Sequence, residues 1–146
     1  MKDLTDHLKA AKIREAGFDM YDEKSCLMAV KEDCYNIQYT NNPSEVVCLI
    51  AVMDNGYAIQ CIQSPSEAVC LASVKENGFS IKYIKNPSEA VCLETVKGGN
   101  GSSIKFIENP SEEVIIESVR QNKENIKHID IDKLSEATKE ILMYLI

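Results

Sequence analysis

Apolar and polar positions along this chain alternate in blocks that return every 22 residues. Val47, Cys48, Leu49 and Val52 form an apolar block, the polar turn Asp54-Asn55-Gly56 follows, and two isoleucines three apart, Ile59 and Ile62, come next. The same order recurs as Val69, Cys70, Leu71 and Val74, the turn Glu76-Asn77-Gly78, and Ile81 with Ile84. Pro43, Pro65 and Pro87 mark the period at 22, and Pro110 follows after 23. Aligned on these prolines, "PSEVVCLIAVMDNGYAIQCIQS" and its three successors form four units, and "YDEKSCLMAVKEDCYNIQYTNN" from Tyr21 adds a fifth. "LTDHLKAAKIREAGF" from Leu4 and "LSEATKEILMYLI" from Leu134 are degraded copies at the two ends. Self-similarity at such a period is the mark of a repeat architecture.

Each unit predicts two helices. Helix A starts at N-P-S-E, with Asn or Ser as N-cap, Pro at the first helical position and Glu closing a capping box. It is expected to span about 12 residues and to stop at Asn-Gly, where Gly takes the left-handed C′ conformation and the next aromatic (Tyr35, Tyr57, Phe79) packs back on the last turn. Helix B, about six residues long, carries the isoleucine pair on one face. In helix A, Val47, Cys48, Leu49 and Val52 cover about 200° of the wheel. So wide an arc requires burial between like neighbours, the geometry of a solenoid. The predicted fold is therefore an all-α solenoid over 1–146, with an N-terminal cap at 1–20, five repeats over 21–131 and a C-terminal capping helix at 132–146. Lys9, Lys12 and Arg14 suit an outward cap face. The apolar "ILMYLI" is expected to cover the last repeat, with a dimer contact as the alternative to a monomer.

The string "AVCLASVKENGFSIKYIKNPSE" resembles the short two-helix repeats catalogued as domain of unknown function 4116, found in giant-virus, phage and bacterial proteins. The resemblance covers about residues 21–130 and rests on the apolar pair, A-V-K-x-N-G and I-K-Y-I. It implies an all-α solenoid and brings no established activity and no catalytic residues. The fourth full unit departs by insertion, "GGNGSS", and the fifth lacks Gly after Asn122, which puts the regularity of both turns in question.

Charge changes the picture next. The net charge is −7, and a general nucleic-acid binder usually runs basic. From Tyr21 to Ser64 six acids stand against two bases, whereas Pro65 to Ile129 has nine against eight. Asp22, Glu23, Glu32, Asp33, Glu45 and Asp54 make up the acidic part. It reads as a solvated surface, or as a face that meets a basic partner. No apolar run approaches the ~20 residues of a membrane-spanning helix, and the charged N-terminus has no signal-peptide core. The expected compartment is the cytoplasm of a bacterium, or of a host cell for a viral gene.

Candidate chemistry is sparse. Cys26, Cys48, Cys70 and Cys92 share one repeat position within the apolar arc. Helix spacing of roughly 8–10 Å keeps neighbouring copies beyond disulfide reach, so they read as small buried hydrophobes. Cys34 and Cys61 lie off this column and are expected to be accessible. His7 and His128 form no ligand pair, and Glu23, Glu45, Glu67, Glu89 and Glu112 are explained by capping. No nucleotide, hydrolase or metalloprotease motif occurs. The chain therefore reads as a non-enzyme with no cofactor and no metal.

The remaining signal is surface in columns. On helix B the first column runs Gln38, Gln60, Lys82, Lys105, Lys127 and the second Tyr39, Cys61, Tyr83, Phe106, His128. A third, at the end of helix A, runs Lys31, Met53, Lys75, Lys97, Arg120. These aromatics either pack between repeats or, beside cations, form a partner-binding ridge. The leading expectation is a non-catalytic protein-binding module. Its specific form is a phage or viral inhibitor, anti-CRISPR-like, that covers the nucleic-acid channel of a host defence nuclease with the acidic face. The alternative is a nucleic-acid-binding solenoid in which the lysines track phosphates and Tyr83 and Phe106 stack on bases.

Overall fold

The computed structural model describes residues 11, 13–15, 17, 19–98 and 102–146. Its α-helices are α1 (Glu23–Glu32), α2 (Glu45–Asp54), α3 (Glu67–Glu76), α4 (Glu89–Lys97), α5 (Glu112–Gln121) and α6 (Glu136–Leu145). Each of the first five is followed by a 3-10 helix: η1 (Cys34–Tyr39), η2 (Gly56–Cys61), η3 (Gly78–Tyr83), η4 (Ser103–Phe106) and η5 (Lys123–His128). A short 3-10 turn, Ile131–Lys133, leads into α6. No strand occurs among the described residues. Each α-helix packs on the α-helix of the next layer and each 3-10 helix on the next 3-10 helix, so the chain is an all-α repeat solenoid. Lys9, Lys12 and His7 lie outside the described residues, and Arg14 is exposed.

The start signal works differently from the expectation. The N-cap is the serine of P-S-E: Ser44, Ser66, Ser88 and Ser111 accept from the backbone N–H three residues on. Asp22 takes that place in the first layer and Ser135 in the last. Each α-helix is thus nine or ten residues long, about two short of the prediction, because Asn and Pro belong to the preceding turn. Asn42 and Asn86 occupy the left-handed region there (φ 52° and 49°), a conformation that Asn tolerates.

The glutamate that follows the cap also has another role. It closes no capping box within its own helix. It accepts the hydroxyl of the next layer's cap serine: Ser44 to Glu23 at 2.6 Å and Ser88 to Glu67 at 2.5 Å. Ser66 pairs likewise with Glu45, and Ser111 with Glu89. Glu112 ends the series by accepting from the Ser135 N–H (2.6 Å), the Ser135 hydroxyl (2.7 Å) and the Thr138 hydroxyl (2.6 Å). Carboxylate acceptors make short, charge-assisted hydrogen bonds, and these tie every layer to its neighbour at the edge where the helices begin.

The Asn-Gly stop is corrected too. Asn55 and Asn77 sit in extended backbone as the C-caps of α2 and α3 and also cap the following 3-10 helices, accepting from Tyr57 N and Phe79 N at 3.0 Å. Neither glycine has a positive φ. Gly56 is required by space: a Cβ there would lie 2.5 Å from the Ser73 carbonyl oxygen of the next layer, and one on Gly78 would lie 3.0 Å from Thr95 O. In the fifth unit the equivalent Lys123 is exposed, and the turn stays regular, with Asn122 accepting from Glu124 N at 3.0 Å. The fourth turn is irregular as expected. η4 has only four residues and no side-chain cap, and positions 99–101 of the insertion lie outside the described residues.

Between the layers lies a continuous core of valines, isoleucines and cysteines. Val47, Val69, Val91 and Val114 are buried with Val52, Val74, Val96 and Val119, and so are Ile37, Ile59, Ile81 and Ile104 of the 3-10 helices. The second isoleucines, Ile62, Ile84 and Ile129, follow their 3-10 helices and are half-buried, while Ile107 is buried. A buried polar pair joins the two helices of several layers. Asn36 Nδ2 donates to Ala29 O (2.9 Å), Ser80 Oγ lies 2.8 Å from Ser73 Oγ, and Asn125 Nδ2 donates to Ser118 Oγ (2.8 Å). Where both partners are alanine, Ala51 and Ala58, the pair is apolar. The Ser73–Ser80 pair is fully hydrogen-bonded within this column, as burial demands, whereas Asn125 uses only its amide nitrogen and its Oδ1 is buried without a hydrogen-bond partner among the described residues.

Candidate functional site

The 3-10 helices present the candidate ridge. In a 3-10 helix residues three apart eclipse one another. The isoleucine, buried in η1 to η4 and half-buried in η5, therefore fixes one side of each segment; the next residue is exposed, and the one after it is exposed in η3, η4 and η5 and half-buried in η1 and η2. The aromatic at the second position of one 3-10 helix meets the aromatic near the end of the next. Tyr57 packs edge-to-face on Tyr83, with centroids 6.0 Å apart and planes at 89°. Phe79 packs on Phe106 in the same way, at 5.9 Å and 87°. Tyr83 and Phe106 keep 39% and 38% of their surface exposed, so they belong both to the repeat contact and to the outer surface.

Lysines complete this arrangement. Lys82 Nζ stands 5.2 Å from the Tyr57 centroid and 4.8 Å from that of Tyr83, and Lys105 Nζ stands 5.0 Å from that of Phe106. Each distance is within the ~6 Å of a cation–π contact. Tyr57, Lys82 and Tyr83 thus form one group, and Phe79, Lys105 and Phe106 form its equivalent one layer on. Lys127 and His128 are exposed on η5, where Lys127 pairs with Glu124 at 3.6 Å. Tyr39 is half-buried and lines a cleft of about 680 Å³ with Asp33, Tyr35, Gln38 and Cys61. The third column, Lys31, Met53, Lys75, Lys97 and Arg120, is exposed throughout, and Arg120 pairs with Glu117 at 2.7 Å. The amide of Gln121 and then that guanidinium hold the Glu117 carboxyl below its ordinary pKa.

The six acidic candidates divide between two edges. Asp22, Glu23 and Glu45 stand where helices begin; Glu32, Asp33 and Asp54 stand where helices end or just beyond. A ten-residue helix, about 15 Å long, separates the two groups. Several already have work in the fold. Asp22 accepts from Ser25 N, Asp33 accepts from Tyr35 N, and Glu23 and Glu45 accept from the next layer's serine.

The cysteines are free thiols. Cys26, Cys48, Cys70 and Cys92 are buried as expected, and burial raises the pKa of each above the ordinary value. Cys34 departs from the expectation: it is buried, at the start of η1. Burial and then a hydrogen bond to Asp54 push it up to about 11. Cys61 is half-buried. Thiols held protonated are poor nucleophiles. Among the described residues no group of three His, Cys, Asp or Glu side chains is placed to hold a metal ion, and no helix is long and apolar enough to cross a membrane.

The linking serines and glutamates were missed as a partnership because the signal, S-E at a fixed repeat position, was fully used up by helix capping. The herringbone of Tyr57 with Tyr83 was missed because its partners lie 26 residues apart, in neighbouring units. Compared with known proteins, the chain matches no family model, no curated protein and no solved structure.

Proposed function

We propose that this chain is a non-catalytic protein-binding module whose partner docks along the 3-10 ridge. The observation that carries this reading is the repeated pairing of a lysine with an exposed ring, Lys82 over Tyr83 and Lys105 over Phe106, in successive layers. Aromatic side chains held rigidly beside cations offer a large apolar contact area together with charge, the combination enriched at binding hot spots. Charge reversal at Lys82, Lys105 and Lys127 is expected to abolish capture of a partner in pull-downs from the native host while leaving helicity intact. Unchanged capture removes the ridge.

The inhibitor form of the proposal, in which the chain blocks a host defence nuclease, uses the acidic residues instead. Their division between two edges favours the ridge over a single charged face. Co-expression with candidate defence nucleases tests it, and undiminished nuclease activity ends it. The second reading, nucleic-acid binding, draws on the same lysines and rings. It is weakened by the ammonium groups that stand over the rings of Tyr83 and Phe106, since a stacking base would have to displace them. A low-salt gel-shift without retardation disposes of it.

A further inference from the structure

Two successive joins between 3-10 helices are built alike. Between η2 and η3, Tyr57 at the second position meets Tyr83 at the last, edge-to-face at 6.0 Å. Between η3 and η4, Phe79 meets Phe106 in the same way at 5.9 Å. The residue before each later ring is a lysine, Lys82 or Lys105, whose ammonium stands over that ring. The join of η1 to η2 keeps only the first member of this set. Tyr35 occupies the second position of η1, but the equivalents of Lys82 and Tyr83 are Gln60 and Cys61. The backbone is not the cause, because η1, η2 and η3 are all six-residue 3-10 helices, capped by Asp33, Asn55 and Asn77 in extended conformation. Ring and cation are replaced together, by side chain alone.

On that shared backbone a ring at position 61 would stand against Tyr35. A cleft of about 680 Å³ opens at this place instead, with Tyr35, Tyr39, Gln60 and Cys61 in its lining. Tyr35 is fixed there from both ends. Its hydroxyl accepts from Asn55 Nδ2 at 3.3 Å, and its backbone N–H donates to Asp33 Oδ1 at 2.9 Å. Asp33 is the only charged side chain among the described residues that line the cleft. The surroundings are acidic as well, with six acids against two bases from Tyr21 to Ser64. The cleft therefore suits a ring that packs edge-to-face on Tyr35. It also suits a cation beside that ring, which would meet both the Asp33 carboxylate and the ring faces. These are the two groups that Lys82 and Tyr83 bring to the next join from within the chain.

We propose that this cleft receives an aromatic side chain of the protein partner, preceded by a lysine or arginine, so that the partner supplies the cation and the ring that Gln60 and Cys61 lack. The inference rests on the ridge reading and names the chemistry with which the partner meets η1 and η2. The probe is the peptide acetyl-Gly-Lys-Tyr-Gly-amide, titrated into the full chain and followed by the NMR shifts of Tyr35 and Tyr39. Two control peptides replace its tyrosine by leucine or its lysine by glutamate. The Lys-Tyr peptide is expected to bind roughly fivefold more tightly than either control, the size of one aromatic or cation–π contact. Cys61→Tyr fills the cleft from within and is expected to abolish the shifts without lowering the melting temperature, whereas Cys61→Ala keeps them. Should Cys61→Tyr fail to fold, the three peptides on the parent chain decide alone. Equal binding of the Lys-Tyr peptide and either control, no binding of any peptide, or undiminished binding to folded Cys61→Tyr overturns the inference. Self-association that both Tyr144→Ala and Cys61→Tyr abolish also overturns it, because it gives the cleft to a second copy through its exposed Tyr144. Shifts confined to Lys82, Tyr83, Lys105 and Phe106 overturn it and leave the ridge reading standing; that reading fails only by the charge reversal at Lys82, Lys105 and Lys127.

Discussion

Lys82 stands over two rings from neighbouring layers, 5.2 Å from the Tyr57 centroid and 4.8 Å from that of Tyr83. It therefore links η2 to η3 at the surface proposed for binding. Exposed cation–π contacts contribute about 0.5–1 kcal/mol. Lys82→Met keeps the aliphatic stem and is expected to cost about that much in urea unfolding. Lys82→Glu places a carboxylate against the negative ring faces and is expected to cost more. If both variants match the parent in stability, the contact contributes nothing to the fold.

The serine–glutamate links make a second set of expectations. Ser88 caps α4 and donates to Glu67 of the layer before. Ser88→Ala loses both bonds and is expected to cost about 1–2 kcal/mol, in the range of N-cap losses. Glu67→Gln keeps an acceptor for the serine and is expected to cost less. A double-mutant cycle between the two isolates the link between layers; a coupling of zero would assign the whole effect of Ser88 to capping.

Glycine tolerance is predicted to follow the space around each Cα. Gly56→Ala drives a methyl to 2.5 Å from Ser73 O, Gly78→Ala brings one to 3.0 Å from Thr95 O, and Gly98 has nothing within 4 Å. The expected order of destabilisation is Gly56 first, Gly78 next and Gly98 last. Gly56→Ala is expected to lose about 2 kcal/mol or more, as overpacking does. Thermal melting of the three variants checks the order.

The docking of α6 should depend on acid. The hydroxyl of Thr138, then the N–H and hydroxyl of Ser135, hold the Glu112 carboxyl below its ordinary value. A depressed carboxyl contributes stability that is present above its unfolded pKa, about 4.3, and is lost as pH falls through the folded value. Hydrogen-exchange protection in α6, measured against the unfolded chain at the same pH, is therefore expected to fall below about pH 4.3, before protection in α2 and α3 does. Thr138→Val is expected to bring the folded value of Glu112 closer to its unfolded one and so to shrink this acid-dependent loss; an unchanged pH dependence would remove Glu112 from the account.

Thiol labelling separates the cysteines. Cys61, half-buried, is expected to react with a maleimide first, and Cys26, Cys34, Cys48, Cys70 and Cys92 only after denaturant is added. Mass spectrometry of partially labelled protein reads the order directly. Early labelling of Cys34 would contradict its burial at the start of η1.

The layers, their order and the buried cysteine column were legible in the sequence because they follow from the period and the apolar arc, which any single unit displays. What lay hidden depends on the next unit. Glu67 looks like a capping residue until Ser88 is placed beside it, and Gly78 looks like a left-handed turn until Thr95 O is seen to crowd its Cα. The 3-10 form of the second helix was hidden for a related reason. Six residues with isoleucines three apart suit either helix, and the spacing alone does not choose between them. On the ridge, the spacing put Lys82, Tyr83, Lys105 and Phe106 on one surface, but the edge-to-face pairs with Tyr57 and Phe79 join neighbouring units and depend on how the layers stack. Cys34 was misjudged because its partner, Asp54, comes from the following unit.

The serine–glutamate series has a consequence for how such a chain changes over generations. Each layer from α2 to α5 carries one donor serine facing backward and one acceptor glutamate facing forward. Unequal crossing-over between two units at equivalent codons would remove or add 22 residues and leave each bond with a partner of the right kind. A crossover at any other offset would orphan a serine or a carboxylate and bring a side chain where Gly56 or Gly78 must stand. The length of the binding surface is therefore free to vary in whole layers, and the hydrogen bonds act as the proofreading that keeps the count whole.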